Sequence, residues 1–205
     1  MKTHLSKLAL LSIGLLSAGV MLSAQTPGFV KKTSYGMTVG ANVARLNIEG
    51  MPSGTLAKSK SGFQFGAFAD CAFHQNWSLI PELRYIQKGG KYESGGLIAE
   101  FELDYVEAPV NVAFKIDMGD GGRALLFGGV YLAGKVADKA EIGGQREGID
   151  DVKTLDYGLN LGAGYQYGRF SLKLQYSKGL ANISDTSGIT VKNKECVSLS
   201  VGCSF

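Results

Sequence analysis

Any chemistry in this chain would come from a few charged side chains on segments of alternating polarity. Asp70, Glu82, Arg84, Lys88, Glu107, Asn111, Lys115, Asp156 and Lys173 fall on the polar face of such segments. Glu82 with Glu107, or Asp70 with Asp156, could supply the acid and base of a hydrolase, because two carboxylates in different surroundings can divide those roles. The charged members of the set are four acids and four bases. That balance favours a salt-bridge network filling a closed lumen, where each buried charge needs a partner and a catalyst would lack access. Lys135 lies on a segment too rich in glycine to phase. Cys71, Cys196 and Cys203 form no C-x-x-C or zinc spacing, and the two histidines, His4 and His74, cannot build a triad or a metal site alone. The glycines, 29 of 205 residues, spell no phosphate-binding loop. No cofactor and no metal is therefore expected.

The elements that must hold these charges show period two. Leu155, Tyr157, Leu159, Leu161, Ala163, Tyr165 and Tyr167 alternate with Asp156, Gly158, Asn160, Gly162, Gly164 and Gln166. The segments 170–177 and 196–205 repeat the pattern. Aromatics suit lipid and small or polar residues suit a narrow lumen, so the polar face is read as the inner one. A soluble lipocalin-like carrier would need the opposite polarity.

Eight strands follow, at residues 35–46, 62–73, 77–89, 101–116, 124–137, 153–167, 169–179 and 194–205. An even number suits a closed antiparallel transmembrane barrel. The connections 74–76, 117–123 and 168–169 are short, whereas 47–61, 90–100, 138–152 and 180–193 are long and polar. Short turns at one end and long loops at the other are the periplasmic and extracellular ends of an outer-membrane barrel. The expected fold is all-β: a closed eight-stranded antiparallel up-and-down transmembrane barrel.

Aromatic placement gives two girdles. Phe63, Tyr85, Tyr157 and Tyr176 fall near the loop ends of their strands, and Phe73, Trp77, Tyr165, Tyr167 and Phe170 near the turn ends. Tyr157 and Tyr165 are eight residues apart, which after tilt spans roughly 20 Å, close to the expected apolar band. Phe205 ends an alternating apolar stripe and reads as the signal taken by the barrel assembly machinery.

The first 24 residues read as a signal peptide: Lys2 and Lys7, an apolar stretch to Leu22, then Ser23-Ala24-Gln25. Residues 25–205 form the barrel domain. Without the leader, 19 basic residues face 18 acidic ones, a net charge of +1, so nothing draws the chain to nucleic acid.

Several segments carry a family resemblance: Gly36-Met37-Thr38-Val39-Gly40-Ala41-Asn42; WSLIPELRYIQKG from Trp77 to Gly89; Tyr105-Val106-Glu107-Ala108-Pro109; LGAGYQY from Leu161 to Tyr167; and LQYSKGLANI from Leu174 to Ile183. Together they resemble the PorT-like family of small outer-membrane β-barrel proteins of Bacteroidetes. The resemblance implies residence in the outer membrane of a Gram-negative bacterium and contact with its lipid. Fold likeness alone does not assign a job. The expected role is non-enzymatic, structural or interactive, through surface loops that meet a protein partner or as an accessory to the envelope or to secretion. The alternatives are an outer-membrane enzyme acting on lipid A or peptides, or a narrow pore. An enzyme of that kind needs a histidine near the outer leaflet, and His74 falls in a periplasmic turn.

Overall fold

Alternating side chains become two opposite faces only when neighbouring strands pair without interruption. The computed structural model describes residues 32–49, 56–94, 97–142, 145–147, 155–181 and 190–205. Its strands are β1 (Thr33–Glu49), β2 (Leu56–Ala72), β3 (Trp77–Ser94), β4 (Leu97–Gly119), β5 (Gly122–Ile142), β6 (Gln145–Glu147), β7 (Leu155–Tyr167), β8 (Phe170–Gly179) and β9 (Thr190–Ser204). All neighbours are antiparallel, in the order β4-β3-β2-β1-β9-β8-β7-β5, and β4 pairs with β5 to close the ring. Gly36 opposite Ser204 joins the first strand to the last. The closed eight-stranded barrel expected from the alternation is what forms, with β6 as an added short strand on β5.

The polarity is inverted relative to a soluble domain. Val39, Leu161, Leu172, Leu174 and Val201 are exposed on the outside, while Asn42, Gln64, Asn111, Asn160, Gln175 and Ser198 are buried. The interior is not purely polar, however. Ile80, Ala113 and Phe127 pack with Phe68 as one apolar layer. A second cluster includes Ile86, Tyr92, Leu103, Tyr105 and Tyr131. A narrow lumen needs bulk to fill it, and glycine-rich neighbouring strands leave room for these rings: a Cβ on Gly162 would lie 2.3 Å from Cζ of Phe127.

The short turns hold nearly where expected, at residues 74–76, 120–121 and 168–169. The middle turn runs Gly119-Asp120-Gly121 with all three φ positive, a path open to glycine and tolerated by aspartate. The long connections differ from expectation because strands occupy much of them. β1 runs to Glu49 and β2 starts at Leu56, β3 and β4 run through Ser94 and from Leu97, and β5 extends to Ile142 before β6. β9 likewise begins at Thr190. Residues 50–55, 95–96, 143–144, 148–154 and 182–189, the remainder of those loops, lie outside the described residues, as do residues 1–24, where a leader is expected.

Candidate functional site

Every charged residue expected inside occupies the interior, and each carboxylate meets a base. Asp70 on β2 takes the ammonium of Lys115 on β4. Glu82 on β3 takes Lys173 of β8 at 3.1 Å, with that ammonium 5.1 Å from the Phe68 ring centre. Glu107 on β4 is the hub. One oxygen, Oε1, accepts from the Arg84 guanidinium, through Nε at 3.0 Å and also through Nη2. The other, Oε2, lies 2.7 Å from Lys88 Nζ. Lys88 also lies 3.6 Å from Asp156 Oδ2, sits 4.4 Å from the Tyr131 ring centre, and shares Asp156 with the Tyr131 hydroxyl, which donates at 3.2 Å. Glu107 and Asp156 are 0% exposed and Lys88 only 2%.

Register explains the hub. Arg84 stands directly opposite Glu107, and alternation places Lys88 on the same inner face four residues on. Asn160 donates to Asn111 at 3.5 Å over Gly129 of the intervening β5, which stands opposite both. No carboxylate is placed as the acid or base of another: Glu82 and Glu107, and Asp70 and Asp156, are each held by their own cations. Lys135, unphased from sequence, is half-buried and paired with Asp138 at 3.0 Å.

The aromatic residues expected in the girdles face outward. Phe63, Tyr157 and Tyr176 are exposed near one end and Phe73, Trp77, Tyr165, Tyr167 and Phe170 near the other. Tyr85 is half-buried against Phe65, with ring centres 5.3 Å apart, and against Phe63 at 5.8 Å. Phe65, and Phe114 beside Trp77, join the bands without having been anticipated. Phe205 is 72% exposed, and its backbone N–H donates to Tyr35 O at 2.9 Å. Cys71, Cys196 and Cys203 are free, with Cys196 buried inside and Cys203 outside.

A second constellation escaped the sequence reading. Above Tyr85, on the outer face of β2 to β4, Lys60 Nζ bonds Glu100 at 2.6 Å and Glu102 at 2.8 Å. Lys91 bonds the other oxygen of Glu100 at 2.8 Å, and Gln87 donates to Glu102 at 2.8 Å and to Asp104 at 3.2 Å. Lys60 crosses β3 to reach β4 because Gly89 leaves the way clear: a Cβ there would stand 3.0 Å from Lys60 Cδ. The partners are 40 and 42 residues apart in sequence, so no local motif could announce them.

This cluster lies beyond the apolar band, among groups that meet water. Its hydrogen bond from Lys60, joined by that from Lys91, holds Glu100 below the usual carboxylate range against a smaller opposing effect of burial. Burial works against the charge on Lys60, but Glu100 and Glu102 outweigh it and raise its pKa. A lowered carboxylate pKa adds stability that is complete above the unfolded value of about 4.3 and fades as pH falls through the lower folded value. Hydrogen exchange at the extracellular ends of β3 and β4 should therefore quicken on acidification below about pH 4, relative to the barrel centre, and by a modest factor because exposed pairs contribute little. Equal acid sensitivity in both regions would show that the cluster adds nothing.

Among the described residues no helix is long and apolar enough to cross a membrane, and no group of three or more His, Cys, Asp or Glu could hold a metal ion.

A family model described as "Outer membrane protein beta-barrel domain" matches residues 23–185. The fold is similar to Neisserial surface protein A at 16% identity, with a TM-score of 0.51, covering 84% of this chain and 97% of that one. It is also similar to the outer membrane protein OprG of Pseudomonas aeruginosa at 12% identity, with a TM-score of 0.52, covering 84% and 94%. The attachment invasion locus protein Ail of Yersinia pestis aligns at 18% identity and a TM-score of 0.46, covering 85% and 99%. No curated protein compared with the chain matches it. The match to the family model covers most of the chain and agrees with the closed barrel of inverted polarity. This protein therefore belongs to the outer membrane protein beta-barrel domain family and resides in the outer membrane.

Proposed function

We propose that the protein is a non-enzymatic interaction barrel that presents the extracellular ends of β1 to β5, and the loops joining them, to a polar partner. The observation that carries this reading is the ionic cluster of Lys60, Lys91, Glu100 and Glu102 on the outer face above the aromatic band. Strand β3 continues from Tyr85 to Ser94, nine residues further. At about 3.3 Å per residue and a tilt of about 40° that raises a wall roughly 20 Å above the girdle. A rigid wall with mixed charge suits salt-sensitive contacts with a protein surface.

The lumen supports the same reading. Charges neutralised in pairs between two apolar layers make a filled interior, which suits neither a pore nor a site open to lipid A. In this account the lumen network is structural, the two aromatic bands seat the barrel in lipid, residues 1–24 are an export leader, and Phe205 is read by the assembly machinery. The PorT-like subgroup and a Bacteroidetes host are part of the proposal, on the motifs quoted above, as is an accessory role in the envelope or in secretion.

The test trims residues 139–151, the end of β5 with β6 and the residues after it, which carry Lys139, Glu141, Arg146, Glu147, Asp150 and Asp151, to a four-residue turn. The expected outcome is a barrel that still folds, with cross-linking to surface partners reduced several-fold, most of all at low salt. Undiminished capture of the same partners would move the contact away from this surface and end the proposal.

A further inference from the structure

On the side of the barrel opposite β2 and β3, the outer apolar surface runs to the loop ends of β7 and β8. Leu155, Tyr157 and Leu159 of β7 are about half exposed, as are Tyr176 of β8 and Leu180 just past it. Lys178 stands in the middle of this patch. It is exposed on the same outward face as Tyr176 and Leu180, and it lies opposite Leu159. Leu180 in turn lies beside Tyr157, to whose carbonyl its N–H donates at 2.9 Å. Two residues past Tyr176, the lysine sits roughly 5 Å above the girdle, at about 3.3 Å per residue and a tilt of about 40°.

Lys178 makes no ion pair among the described residues, whereas Lys60 and Lys91, above the girdle on β2 and β3, are held by Glu100 and Glu102. The next strand carries Glu195, which stands opposite the exposed Arg45 of β1. The outward charges of the three strands at this level, Lys178, Glu195 and Arg45, sum to +1. An ammonium set in exposed apolar surface at the edge of the lipid needs an anion at headgroup level. The patch is continuous with the girdle that meets lipid, so the anion belongs to a lipid. Tyr176 and Tyr157 bracket the ammonium with two hydroxyls. A glycerophospholipid with one phosphate uses the lysine alone, whereas a phosphorylated diglucosamine head has hydroxyl and amide groups that use the tyrosines as well.

We propose that Lys178 holds a phosphate of a lipid A-type glycolipid in the outer leaflet. The acyl chains lie over the exposed Leu159, Leu161 and Leu174, and the Tyr157 and Tyr176 hydroxyls bond the sugar head. No covalent bond is made or broken. The site lies outside the wall of β1 to β5 and does not depend on the reading of that wall.

The probe is diphosphoryl lipid A, added to the folded full barrel in detergent and followed by native mass spectrometry. One bound molecule is expected, held about tenfold more tightly than dephosphorylated lipid A, the effect of one charge-assisted hydrogen bond. Lys178→Gln should remove that preference, and Lys178→Arg should keep it. Arg123→Gln removes the same charge at the periplasmic end and should bind diphosphoryl lipid A as the wild type does. All three positions are exposed or touch only solvent-facing partners, so heat-modifiable mobility should be unchanged. Equal affinity of the wild type and Lys178→Gln for diphosphoryl lipid A would overturn the proposal. An equal loss in Arg123→Gln, or displacement of the glycolipid by equimolar phosphatidylglycerol, would overturn it as well.

Discussion

Replacing Glu107 with Gln should lower the stability of the folded barrel by about 3 kcal/mol, the effect of breaking a buried ion pair rather than of losing a surface one. The size follows from the hub geometry. Arg84 and Lys88 both lean on the two oxygens of Glu107, and the three side chains are at most 2% exposed. A neutral amide leaves Lys88 with Asp156 at 3.6 Å, and leaves Arg84 with the charge of Glu82 but without its ion pair to Glu107. The contrast is Asp117→Asn, where both members of the pair with Arg123 are more than half exposed. A loss there of about 0–1 kcal/mol is expected. Urea unfolding of the two variants in the same lipid vesicles makes the comparison. Equal midpoints would mean that water reaches the hub and screens it. If Glu107→Gln instead keeps its midpoint and abolishes an activity on a lipid or peptide, the carboxylate is catalytic and the structural reading of the lumen fails.

Deleting Phe205 should have the second large effect, on assembly. The residue sits at the seam where β9 meets β1: Gly36 stands opposite Ser204, and the Phe205 N–H reaches Tyr35 O. Its ring faces outward at the periplasmic end and touches none of the lumen charges. Loss of a terminal aromatic therefore leaves the interior intact while removing an anchor of the closing strand and the proposed recognition element. The fraction of protein that reaches the outer membrane with heat-modifiable gel mobility should fall several-fold. A truncated chain that assembles at the normal level would refute the assigned signal.

The fold and the lumen charges were legible in the sequence for one physical reason. A strand with lipid on one side and a narrow lumen on the other cannot exchange its faces, so alternation phases every inward residue. Asp156 between Leu155 and Tyr157 is the plainest case, and it is fully buried while both neighbours are exposed. Phase is lost where that constraint lapses. On β5, Gly128, Gly129 and Gly134 have no side chains to alternate, and a register shift between Asp104 and Tyr105 moves the pairing to Ala137 and Lys135. Tyr131, an aromatic turned inward over Lys88, was hidden by the glycines on either side of it. Beyond the girdle the strands leave lipid, and Lys58-Ser59-Lys60-Ser61 is polar on both faces. Such a stretch reads as a loop, although Lys58 and Ser59 pair with Lys91 and Gly90 of β3, and Lys60 and Ser61 pair with Ala44 and Val43 of β1 across a register shift in the β3 pairing. The cluster of Lys60 with Glu100 and Glu102 depends on the registers of three strands together, which alternation within one strand does not specify.

The central claim is that the apolar face of this sheet meets lipid and its charged face does not. The chain carries a single tryptophan, Trp77, placed outward at the periplasmic end of β3 beside Phe114. Its fluorescence in vesicles of lipids brominated at successive depths along the acyl chain measures the claim directly. Quenching should be strong, greatest for bromines near the headgroup and weakest for those near the bilayer centre, as for a ring in an interfacial girdle. Absence of quenching by any of the lipids, with the protein remaining in the aqueous fraction, would contradict the account.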